Sequence, residues 1–107
     1  MIVQVLLNLL SNAVDAAAHG KGRCKIRISS AAAEPFIRVC VADSGPGIPE
    51  GMRSQIFEPF FTTKNEGSGI GLSLAHRIVT DHRGRLQATV SQWGGAEFIL
   101  ELPMEKS

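Results

Sequence analysis

Gly67-Ser68-Gly69-Ile70-Gly71-Leu72 places three glycines at alternate positions directly before an apolar run of helical period. Glycine admits positive φ and close backbone approach, and a helix N-terminus offers unpaired N–H groups with a partial positive charge. The stretch reads as an anion cradle at the mouth of a helix; taken alone it reads equally as a flexible loop entering one. From 70 to 82, Leu72, Leu74, Ala75, Ile78 and Val79 recur on one side, and Arg83-Gly84 stops the pattern, which predicts a long helix. Beyond it, 85–91 and 96–102 are predicted strands joined by the hairpin turn Gln92-Trp93-Gly94-Gly95, and Pro103 ends the ordered part.

Working outward towards the N-terminus, 62–67 is a polar, glycine-containing loop without periodicity, anchored by Phe57, Phe60 and Phe61. It has the character of a lid, with Lys64 as its mobile cation. A short helix is predicted from Pro49 to about Ile56. Before that, Asp43-Ser44-Gly45-Pro46-Gly47-Ile48-Pro49 ends a strand-like run over 36–42. An aspartate at a strand end, followed by glycines that cannot block access, can aim its carboxylate into a cleft; it can also merely cap its own turn. The alternation over 24–29 predicts a half-buried strand near a sheet edge, forming a hairpin with 36–42.

The first predicted helix covers 2–19 and stops at Gly20. Gln4, Asn8, Ser11, Asn12 and Asp15 fall within a single arc of roughly 100° on it. Amides and a hydroxyl on a helix that is otherwise apolar nearly all round predict a mostly buried helix whose stripe meets a polar partner. An asparagine ladder bonded to neighbouring loops would also satisfy it.

The totals narrow the function. A chain of 107 residues is one domain that buries about 60–70% of its unfolded surface. A net charge of +1 from 11 basic and 10 acidic residues gives no basic face for nucleic acid, so any phosphate site is local. Cys24 and Cys40 lack metal-site spacing and are read as buried small residues in a reduced setting. The apolar opening has no positive flank and is too short for a membrane span, so a cytoplasmic location is expected, with no direct membrane contact. There is no GxxxxGK[ST], no Rossmann spacing, no HRD or DFG and no GxSxG; His19, His76 and His82 lack the carboxylate context of a base and are read as surface or packing residues.

Four blocks in order resemble the ATP-binding domain of sensor histidine kinases, within the superfamily of type II topoisomerase, Hsp90 and MutL ATPase domains. Asn8 to Ala16 resembles the N box, Asp43 to Ile48 the first glycine box, Phe57 to Phe61 the F box and Gly67 to Leu72 the second glycine box. The resemblance implies an α+β, two-layer sandwich of Bergerat type: a mixed, mostly antiparallel sheet, three helices on one face and an ATP lid, truncated at its N-terminus. It implies that Asn12 holds Mg²⁺ through its carbonyl oxygen, that Asp43 accepts a hydrogen bond from the adenine amino group, and that Gly45 and Gly47 let the backbone approach the base. It implies that Gly69 to Leu72, with Gly71 among them, present N–H groups to the phosphates and that Thr63 and Lys64 close the lid. Asp15, Ile48, Phe60 and Gly67 complete the nucleotide-binding set.

Asn8 stands where the hydrolytic relatives carry Glu, and an amide cannot take a proton from water, which favours transfer to a histidine over hydrolysis. Asp15-Ala16, in place of a basic residue and an aromatic, points to a nitrogen-sensor-like subgroup. The implied function is ATP- and Mg²⁺-dependent phosphorylation of a histidine on a separate domain, then of a response-regulator aspartate, by a parent that forms a homodimer and can be membrane-anchored. A superfamily ATPase with a conformational cycle and a nucleotide-free interaction module are the alternatives. None of the three histidines matches a phosphoacceptor box, so the chain alone is not expected to autophosphorylate.

Overall fold

In the computed structural model, residues 2–20, 22–53, 55–57 and 71–104 are described. The lid, with Phe60, Thr63, Lys64, Gly67 and Gly69, lies outside the described residues. The elements are α1 (Ile2–Ala18), β1 (Ile26–Ala33), β2 (Phe36–Asp43), two 3-10 turns (Glu50–Met52 and Gln55–Phe57), α2 (Gly71–Asp81), β3 (Arg85–Val90) and β4 (Ala96–Pro103). The short helix expected after Pro49 is thus two 3-10 turns. β1 begins later than the alternation predicts and continues through the Ala-rich segment read as a connection, because Ser30 to Ala33 pair in register with Val39 to Phe36.

The sheet order is β1-β2-β4-β3. Every pairing among the described residues is antiparallel, where the sequence reading expected a mixed sheet. The physical reason is the place of β4. The connection through α2 brings β3 round in the same direction as β2, but the β3–β4 hairpin folds back so that β4 fills the space between them. β2 is central, as its apolar run predicts, and β1 is an edge strand with Arg27 on its outer face.

Side chains at alternate positions of a strand share a face. Val41 of β2, Leu86 of β3, and Ala96, Phe98 and Leu100 of β4 face the helices and form the core with Val5, Leu9 and Ala13 of α1 and Ala75 and Val79 of α2. Phe57, from the second 3-10 turn, meets Phe98 edge-on at 6.3 Å and stacks on His76 at 5.1 Å, closing the core from below α2. Each fully buried aliphatic or aromatic side chain contributes about 1.5–3 kcal/mol.

α1 does not bury itself all round. Val5, Leu9, Ala13 and Ala17 are its buried line, whereas Val3, Leu7 and Val14 are 69%, 56% and 58% exposed. A helix apolar on nearly every side cannot say which side meets the sheet; the sheet covers only one. Both cysteines depart from the buried reading: Cys24 is exposed and Cys40 half-buried.

Turn chemistry fixes the helix ends. Beyond α1, His19 and Gly20 donate to the carbonyls of Ala16 and Ala17, tightening its last turn. α2 ends with Arg83 at φ 63°, its N–H bonded to the Thr80 carbonyl, while the Gly84 N–H reaches back to Val79. This is a Schellman stop, with an arginine in the left-handed position that glycine usually fills.

Candidate nucleotide site

Asp43 is the last residue of β2, and its side chain lies on the helix-facing side, fully buried. Burying a carboxylate is costly unless its oxygens find donors. Oδ1 accepts two: the Gly45 N–H at 2.9 Å and the Ala96 N–H at 3.2 Å. Oδ2 is buried as well and accepts a hydrogen bond from no described residue. One oxygen thus locks the orientation of the carboxylate, and the other is an acceptor with no donor among the described residues. A carboxylate set in this way fits the exocyclic amino group of an adenine.

The glycines around it are there because backbones touch. A Cβ on Gly45 would lie 2.5 Å from the carbonyl oxygen of Ala16, so the loop after β2 packs directly on the last turn of α1. Gly47 has φ +81°, and a Cβ there would approach the Gly94 carbonyl oxygen at 2.9 Å. A Cβ on Gly95 would run into the carbonyl and Oδ1 of Asp43. Ile48 packs against the core from the same loop. Asn8 and Asn12 are half-buried on α1, one turn apart on the predicted stripe, and the Gln4 amide donates to Asn8 Oδ1 at 3.1 Å. Asp15, at the end of the stripe, is exposed. Gly71 opens α2, and Leu72 packs on the core beside it.

The contact of Gly45 with Ala16 sets the first glycine box against the C-terminal end of the helix that carries Asn8 and Asn12. Asn12 supplies an amide carbonyl, a hard oxygen of the type Mg²⁺ prefers. No cluster of three or more His, Cys, Asp or Glu that could hold a metal by itself occurs among the described residues. A cleft of about 720 Å³ along β3, lined by Arg53, Phe57, His76 and Thr89 among others, includes none of these residues. The chemistry of Asp43, not cleft volume, makes this the candidate site.

Sequence reasoning missed the β3–β4 turn as part of the site. Ser91, 6% exposed, donates its hydroxyl to the Asp43 carbonyl at 2.7 Å and accepts the N–H groups of Trp93 and Gly95 at 3.2 and 3.1 Å. A serine followed by Gly-Gly at a hairpin turn is a local signal for a side chain that caps backbone N–H groups. Nothing local says that the capped turn meets Asp43, 48 positions away.

A profile of the family described as histidine kinase-, DNA gyrase B- and HSP90-like ATPase matches residues 1–106. The chain belongs to this family. Among curated relatives, the sensor protein FixL of Bradyrhizobium diazoefficiens is 40% identical over 102 residues, covering 95% of this chain and 20% of its own length. The sensor histidine kinase ZraS of Escherichia coli K12 is 39% identical over 104 residues, 96% of this chain and 22% of ZraS. The histidine kinase/phosphatase NtrB of Rhizobium leguminosarum is 36% identical over 118 residues, covering 98% of this chain and 30% of NtrB. The chain thus spans about a fifth of the length of FixL and ZraS. A nucleotide-free catalytic domain of the histidine kinase ThkA superposes with a TM-score of 0.83 at 43% identity, covering 95% of this chain and 65% of that one. ThkA in complex with the response regulator TrrA gives 0.81 at 39% identity, covering 97% and 28%. No helix among the described residues is long and apolar enough to cross a membrane.

Proposed function

We propose that residues 1–107 form one ATP-binding catalytic unit of a sensor histidine kinase, which gives the γ-phosphoryl group of ATP to a histidine on a separate domain. The observation that carries this is the buried Asp43 carboxylate, with Oδ1 satisfied and Oδ2 without a donor among the described residues. An adenine amino group supplies the missing hydrogen bond, while the oxygen at the equivalent position of guanine would face an acceptor with an acceptor.

In the transfer, the attacking imidazole nitrogen bonds to the γ-phosphorus as the bond to the β,γ-bridging oxygen breaks and ADP leaves. A neutral imidazole nitrogen already carries its lone pair, so the site needs no base to activate water, and Asn8, an amide, provides none. Positioning and charge stabilisation carry such a reaction. Asn12 is the residue suited to Mg²⁺, which when bound neutralises phosphate charge. In this reading Gly71 and Leu72 offer the first N–H groups of α2 to the phosphates; Thr63, Lys64, Gly67 and Gly69 belong to the lid of the same proposal. The phosphoryl group then passes to the receiver domain of a response regulator, in keeping with the ThkA–TrrA complex. The parent kinase is a homodimer with this part in the cytoplasm, and the presence of NtrB among the relatives supports a nitrogen-sensor-like subgroup.

Calorimetric titration with a nonhydrolysable ATP analogue and Mg²⁺ tests the proposal. Binding that is weakened by Asn12→Ala, and phosphorylation of a separately supplied histidine domain, are expected. A folded chain that binds no nucleotide overturns it.

A further inference from the structure

Asp43 sits at the point where the central ladder gives out. The β2–β4 register runs from Phe36–Pro103 to Ala42–Glu97 and stops there. One step further the partners would be Asp43 and Ala96, but the Ala96 N–H is turned to the Asp43 side chain instead. The Asp43 carbonyl takes its hydrogen bond from the Ser91 hydroxyl. A side chain thus replaces a backbone donor at this end of β2. The same hydroxyl oxygen gathers the Trp93 and Gly95 N–H groups, and the Ser91 N–H bonds to the Gly95 carbonyl at 2.8 Å, so one buried serine ties the hairpin turn to the backbone of Asp43.

We infer that Ser91 is a positioning residue for purine selection, aiming Asp43 Oδ2 by holding the Asp43 backbone from one side while Ala96 and Gly45 hold Oδ1 from the other. With the hydroxyl gone, the Asp43 carbonyl and two turn N–H groups lose their partner. The peptide after Asp43 then keeps its other hydrogen bond, from the Ser44 N–H to the Lys25 carbonyl at 3.0 Å, and tilts about it, moving the Gly45 N–H that holds Oδ1 and so the carboxylate. Gly95 is the complement of this arrangement, since any side chain there would occupy the space of the Asp43 carbonyl and Oδ1. The inference rests on the proposed adenine site and goes beyond it, assigning selectivity to a residue that need not touch the nucleotide.

The test compares Kd values for nonhydrolysable adenosine and inosine triphosphate analogues, measured by calorimetry well below the unfolding temperature. A residue that only stabilises the fold changes the folded fraction and leaves their ratio alone. The preference for adenosine is expected to fall about three- to tenfold in Ser91→Ala, the size of one misdirected hydrogen bond. Ser91→Cys, of nearly equal volume with a weak donor, keeps the hairpin and is expected to show an intermediate ratio, so it decides the matter if the alanine variant does not fold. An unchanged ratio in a folded variant, whatever its melting temperature, overturns the inference. A chain that binds neither analogue overturns the adenine site with it, whereas binding with an unchanged ratio overturns the role of Ser91 alone.

Discussion

Asp43→Asn tests the carboxylate geometry by exchanging a single atom. Two backbone N–H groups converge on Oδ1, so the asparagine carbonyl must take that place; the reverse orientation would set its NH₂ against both donors. The amide nitrogen therefore lands where Oδ2 was and faces an adenine amino group donor to donor. Losing a hydrogen bond to a charged acceptor costs about 1.5–3 kcal/mol, or about 10- to 150-fold in Kd, and the opposed donors add to it. Stability changes little, because both bonds to the retained oxygen survive. The sign of the selectivity inverts, since the new NH₂ can donate to the 6-oxo group of hypoxanthine. Titration of both analogues, with thermal unfolding alongside, reads all three effects. Asp43→Asn binding the adenosine analogue within twofold of the unsubstituted chain, or keeping its preference for adenosine, would refute the reasoning.

Gly45→Ala forces a methyl onto the Ala16 carbonyl; it is expected to cost about 1–3 kcal/mol of stability and to weaken nucleotide binding, read by urea unfolding and calorimetry on the same sample. Arg83→Gly relieves a left-handed arginine at φ 63°; the relief of about 1–2 kcal/mol exceeds the added backbone entropy of about 0.5–1 kcal/mol, so the melting temperature rises. Burial, helped by the neighbouring Glu97 carboxylate, pushes the Cys40 thiol up, whereas Cys24 is exposed. Because the thiolate is the reacting form, mass spectrometry at mildly alkaline pH is expected to find Cys24 alkylated well before Cys40.

Much of the candidate site was legible because its parts are local. The Asp43 to Ile48 block ends a strand with an acid and two glycines, and the structure needs each of them: the carboxylate for its position, Gly45 for contact with α1, Gly47 for its positive φ. The stop at Arg83-Gly84 was equally local, although only the backbone shows that the arginine occupies the left-handed position. Asn8 and Asn12 could be placed on one stripe by helical period alone. The orientation of α1 could not, since Val3, Leu7 and Val14 are as apolar as Val5, Leu9 and Ala13.

By itself, the order of residues determined the two long helices, the strand hairpins, the edge position of β1, the central position of β2 and the four blocks that mark the family, because each depends on neighbours a few positions apart. Tertiary structure alone decided that β4 lies between β2 and β3, which face of α1 meets the sheet, and that Ser91 reaches Asp43. Those outcomes depend on which surfaces remain to be covered once the local elements exist, and on a ladder that ends one residue short, leaving the Asp43 carbonyl to a hydroxyl from the far hairpin.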